Sequence, residues 1–183
     1  MNGAPMATVL PAALPDDPAD RLAALFDAHY DRLYRLARRL AADADAARDL
    51  VQDTFLRAAR APQSVPQGHA SEEAWLVRVL INIRRDEWRR AAVRRRYDEA
   101  AWPPLGAVGD HEAATAAREL VWRALDALPP RRRAVVVMHE IEGLTIAAIA
   151  SLVGISAVTV RWHLAAGRRD LARVLAPHME EPR

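Results

Sequence analysis

The segment that most constrains this chain is Leu144 to Leu175, LTIAAIASLVGISAVTVRWHLAAGRRDLARVL, which scans as two helices joined by a tight turn. Thr145 can cap the first helix, and Ile146, Ile149, Ala150 and Val153 recur at helical spacing behind it. Gly154 falls where the chain must turn sharply, because glycine reaches left-handed backbone angles cheaply. Ser156 is a good N-cap for the helix that follows. From there Val160, Leu164, Leu171, Val174 and Leu175 continue an apolar stripe. Thr159, Arg161, His163, Arg168, Arg169 and Arg173 put donors on the other faces. A second helix built this way can enter a major groove, although a plain helical hairpin with a solvated basic face has the same residues.

The rest of the chain decides between them. All 26 basic residues are arginine, whose planar fork grips phosphate, and they cluster although the net charge is only +2. Cysteine is absent, so disulfides, iron–sulfur clusters and thiolate zinc sites are excluded. His139 and Glu140 do not complete a metalloprotease motif, since Gly143 stands where a second histidine is needed. No phosphate-cradling glycine loop or nucleophile elbow is present. The expectation is a binding protein with no catalytic residues, no metal and no cofactor. Residues 1–19 are broken by four prolines and lack a positive start, so they are expected to be a flexible lead-in without signal peptide or membrane insertion.

Helical periodicity recurs along the chain, and no strand alternation appears. Leu22, Leu25, Phe26, His29/Tyr30, Leu33, Leu36, Ala37 and Leu40 predict one amphipathic helix. Ala46, Leu50, Val51, Thr54, Phe55 and Ala58 predict a second, ending before Pro62. A loop is expected at 62–70, then a long helix capped by Ser71 and running to about Arg96. Its first half, AWLVRVLINI, is apolar on nearly every side; its second, RRDEWRRAAVRRR, sets seven arginines against two acids. Polycationic helices bind nucleic acid by releasing counterions, and Trp88 could either stack on a base or pack against a neighbouring helix. Residues 97–112, with a Pro-Pro pair and two glycines, predict a flexible linker. A helix through Arg118, Leu120, Val121, Leu125 and Leu128 is expected next, then one from Arg131 to Glu142 opened by Pro129-Pro130. The fold class is therefore all-α: two small helical domains, 20–96 and 113–176, and a short tail at 177–183.

Four segments then resemble the sigma factors of bacterial RNA polymerase, in particular the two-domain extracytoplasmic function (ECF) group of the sigma-70 family. DLVQDTFLRAAR at 49–60 resembles the polymerase-clamp-binding segment of region 2, and AWLVRVLINIRRDEWRR at 74–90 its −10-reading helix. LDALPPRRRAVVVMHEIEGLT at 125–145 resembles the entry to region 4, and GISAVTVRWHL at 154–164 its −35 recognition helix. The resemblance implies core RNA polymerase, promoter DNA and an anti-sigma factor as partners, and a cytoplasmic location. It implies polymerase contact through Asp49, Gln52, Asp53, Phe55 and Leu56. Asn82, Arg84, Arg85 and Arg89 would meet the −10 element, with the loop at 62–70 holding a flipped base. Ser156, Thr159, Arg161, His163 and Arg168 would meet the −35 element. Ala147-Ala148 stand where the family usually has Glu-Glu, which removes the reciprocal capping box from Thr145. Trp162-His163 replace the usual small hydroxyl and arginine. A free-standing helix-turn-helix regulator of the response-regulator type remains an alternative, because GISAVTVRWHL resembles its terminal module too.

Overall fold

The computed structural model describes residues 17–97 and 113–179. Most of the expected lead-in and of the linker lies outside them. Every regular element among the described residues is helical. Three helices form the first domain: α1 (Pro18–Leu40), α2 (Ala44–Arg60) and α3 (His69–Tyr97). Four form the second: α4 (Ala113–Asp126), α5 (Pro130–Val136), α6 (Ile146–Val153) and α7 (Ala157–Met179).

Local chemistry sets the starts of these helices. Asp17 and Asp43 each accept a backbone N–H of the first turn at 2.8 Å, from Ala19 and Ala46, so α1 and α2 begin where free amides meet a carboxylate. The long helix starts at His69 rather than at Ser71. Gly68, at φ +96°, turns the chain and its carbonyl accepts from both Ser71 and Glu72, which places Ser71 inside the first turn. A single 3₁₀ turn, Pro62–Ser64, occupies part of the expected loop. The helix expected from Arg131 to Glu142 is also interrupted: after α5 the backbone widens into a π turn at Val137–Ile141. Glu142 N–H donates to Val137 O, and Gly143 at φ +68° then redirects the chain so that Leu144 N–H reaches Met138 O. Wide turns of this kind reposition side chains, here Glu142.

Leu33, Leu36, Leu40, Leu50, Leu76, Leu80 and Ile81 fill the first domain, and Leu125, Met138 and Ile149 the second; all are buried. Removing such a leucine side chain typically costs about 2–5 kcal/mol. His29, read as part of the α1 stripe, is buried but satisfied: its Nε2 lies 3.2 Å from Glu72 Oε2 and its ring stacks on His69. Gly167 lets α7 approach α5 closely, since a Cβ there would meet Val136 Cγ2 at 2.5 Å.

The two domains touch, and their buried apolar residues form one continuous cluster. Glu142, with its side chain 8% exposed, forms an ion pair with Arg32 at 2.8 Å and accepts from Arg39 at 2.7 Å, both of α1. The C-terminus of α1 presents free carbonyls, and arginines from both domains use them. Arg133 of α5, itself paired with Asp126, donates to Arg39 O at 2.8 Å; Arg84 of α3 donates to Leu40 O at 3.0 Å. Further along the seam Arg78 of α3 donates to Ser151 O, and its Cδ lies where a Cβ on Gly154 would come within 2.9 Å.

Candidate nucleic-acid and partner interfaces

Three surfaces carry the residues singled out from sequence. On α2, Asp49, Gln52, Asp53 and Leu56 follow the i, i+3, i+4, i+7 spacing of one helix face, and all are exposed. Phe55 does not share that face. It is 6% exposed, its ring centroid 4.9 Å from that of Phe26, because the core stripe of α2 needs a large apolar group there. The aromatic group that reaches the surface is Phe26 of α1, 42% exposed and flanked by Tyr30 at 4.7 Å. Its position in an apolar stripe hid this role, since periodicity does not show which end of a stripe stays uncovered.

On α3, Asn82, Arg85 and Arg89 fall on one stripe with Arg78, at i, i+4, i+7 and i+11. Arg84 lies about 100° round the helix from Arg85. Its guanidinium is committed to Leu40 O and Glu87, so it fastens α3 to α1 instead of joining the stripe. Trp88 is half-buried. The stripe faces the second domain: Arg78 touches α6 and its turn, and Arg85 and Arg89 act on Arg131 of α5. Burial first, then repulsion from Arg85 and Arg89, lowers the Arg131 pKa from its usual value. Burial likewise lowers that of Arg133, against the opposing pull of Asp126.

The α6 and α7 axes are bent 105° from each other, within the range of a helix-turn-helix. Both caps read from sequence form: Thr145 Oγ1 accepts from Ala148 N–H at 3.2 Å, and Ser156 Oγ from Thr159 N–H at 3.1 Å. Gly154 closes α6 at φ +70°. Ser156 and Thr159 also bond to each other through their hydroxyls. Arg161 points outward beside Val158, 67% exposed, and Trp162, 56% exposed. Those two apolar groups were not singled out as readers, although exposed apolar side chains can meet thymine methyl groups. Arg132 lies over the Trp162 ring, its guanidinium carbon 5.4 Å from the centroid. His163 turns inward. Burial, then Arg132 and Arg131, hold its pKa below 6.5, so it is neutral at neutral pH and brings no charge to a phosphate. Arg168 is held by both its Nε and Nη2 on Glu140.

No group of three or more metal-binding side chains occurs among the described residues, and no single helix among them is long and apolar enough to cross a membrane.

Comparison with known proteins matches these domains. The sigma-70 region 2 family matches residues 25–94 and the sigma-70 region 4 family residues 118–171. The chain is 38% identical over 160 residues to ECF RNA polymerase sigma factor SigE of Mycolicibacterium smegmatis, an alignment covering 84% of this chain and 61% of SigE. It is 34% identical over 151 residues to ECF RNA polymerase sigma factor SigM of Mycobacterium tuberculosis, covering 82% and 75%. Two solved structures share the fold. The sigma factor RpoE in complex with the anti-sigma factor NepR from Bartonella quintana has a TM-score of 0.60 at 21% identity, covering 86% of this chain and 96% of that one. CnrH in complex with the cytosolic domain of CnrY has a TM-score of 0.56 at 24% identity, covering 88% and 91%.

Proposed function

The chain belongs to the ECF group of the sigma-70 family, and on that premise we propose that it binds core RNA polymerase and directs it to particular promoters in the cytoplasm, without catalysing a reaction itself. The observation that carries this reading is the separation of three faces of different chemistry. An acidic face on α2, with Phe26 and Leu56 beside it, suits a protein partner that presents complementary basic and apolar groups. The Asn82–Arg85–Arg89 stripe suits a single strand at the −10 element, and the outward turn of α7 suits a major groove at the −35 element. Neither DNA face needs high affinity alone, since tethering through polymerase raises the local concentration of both. An anti-sigma factor is a further partner, by analogy with the relatives solved in such complexes.

The proposal requires the chain to open. The −10 stripe lies against the second domain in the isolated protein. The two promoter elements, by their numbering, lie about 25 base pairs apart, roughly 85 Å at about 3.4 Å per pair. Two domains joined through Glu142 do not span that distance.

The test of the partner face is Asp53→Arg. It removes an exposed carboxylate, so stability should stay within about 0.5 kcal/mol while affinity for core polymerase falls by about tenfold or more. Unchanged affinity in a pull-down and in promoter-dependent run-off transcription would refute the assignment.

A further inference from the structure

Next to the Arg84 and Arg133 contacts, the seam gathers positive charge that the protein does not balance. Arg85 and Arg89 come from α3 and Arg131 and Arg132 from α5, with the neutral His163 of α7 beside the last two. Two carboxylates answer them: Asp86 lies 3.6 Å from Arg85, and Asp170 pairs with Arg132. Arg89 and Arg131 have no ion pair among the described residues. Four nitrogens in this cluster are buried with no hydrogen-bond partner, namely Nε of Arg85, Arg131 and Arg132 and Nδ1 of His163. Buried polar atoms in native proteins are almost always paired, and guanidinium groups converging from two domains form forks of the kind that hold phosphate oxygens in pairs.

We propose that this part of the domain seam binds a small multivalent phosphate-type anion, gripped by Arg85 and Arg89 on one side and by Arg131 on the other. The charges repel one another in its absence and are bridged in its presence, so the anion holds the domains together. Because it engages the stripe assigned above to the −10 element, it competes with promoter opening. The site rests on the seam geometry and not on the promoter reading, so either can fail without the other.

Inorganic pyrophosphate is the probe, titrated calorimetrically into the full chain against sodium chloride of matched ionic strength. One-to-one saturable binding is expected. Arg85→Ala and Arg131→Ala should each weaken it about tenfold, and Arg57→Ala, on the exposed side of α2, less than about twofold. Glu142→Gln, outside the arginine cluster but part of the seam, should weaken it by several-fold, because a bridging site needs both domains in place. Circular dichroism of each variant verifies the fold. Binding that disappears in matched chloride, or that Arg57→Ala weakens equally, overturns the proposal as nonspecific charge attraction. Loss in Arg131→Ala with full binding in Arg85→Ala overturns the bridge, leaving a site on one domain.

Discussion

The two ends of the domain seam are built on opposite electrostatic principles. At one end the nearly buried Glu142 carboxylate sits between Arg32 and Arg39, and Arg133 satisfies the carbonyl of Arg39. At the other, Arg85, Arg89 and Arg131 face each other with too few acids to balance them. A contact that is attractive at one edge and repulsive at the other is poised to hinge. Such a joint suits a chain whose proposed −10 stripe is partly covered in one state and free in another.

The largest expected effect comes from reversing the satisfied end. Glu142→Arg places a third cation against Arg32 and Arg39 and should cost the domain contact about 3 kcal/mol, the low end for a buried pair because both arginines are partly solvated. Small-angle scattering should report an expanded particle with unchanged helicity. Gly154→Ala comes next: a left-handed residue acquires a Cβ that meets Arg78, for about 1–2 kcal/mol in thermal or urea unfolding. Arg78→Ala in the same chain should recover the steric part and leave the backbone part. At the repulsive end the sign reverses. Arg131→Ala should tighten the seam by about 0.5 kcal/mol at low salt, with the gain fading as salt screens the repulsion.

The smallest effect is that of pH. Folding of the second domain holds the His163 pKa below its ordinary value, first by burial and then through Arg132 and Arg131, so as pH falls through the ordinary histidine range the unfolded chain takes up a proton that the folded one refuses. The stability of the second domain is therefore fully present at neutral pH and weakens as pH falls through that range. His163→Gln should abolish the dependence that this group contributes.

The difference between the two ends also explains what could be read from sequence. Elements whose physics is local were legible. Periodic leucines marked α1 and α2, and Thr145, Gly154 and Ser156 marked the turn before α7. The π turn at Val137–Ile141 was not, because it satisfies a tertiary demand, bringing Leu144 N–H to Met138 O and Glu142 to α1. Arg84 looked like a DNA contact because a run of arginines does not say which of them faces inward; only packing against Leu40 O does. Which of Phe55 and Phe26 is buried and which exposed was hidden for the same reason. The seam itself was invisible, since Arg39 and Glu142 are 103 positions apart and no local pattern joins them. His163 shows the same limit, with its pKa lowered first by burial and then by Arg132 and Arg131 of another helix.

The central claim is that the free chain is closed and must open to read a promoter. The chain has no cysteine, so Arg60→Cys with Ala172→Cys, both at exposed sites, gives a clean dye pair across the two domains. Energy transfer between the dyes should be high in the free protein and should fall in the complex with core polymerase and promoter DNA, as the separation grows by tens of ångströms, on the order of the roughly 85 Å between elements. Glu142→Arg should show part of that fall without polymerase. Equal transfer in the free chain and in an actively transcribing complex would contradict the account.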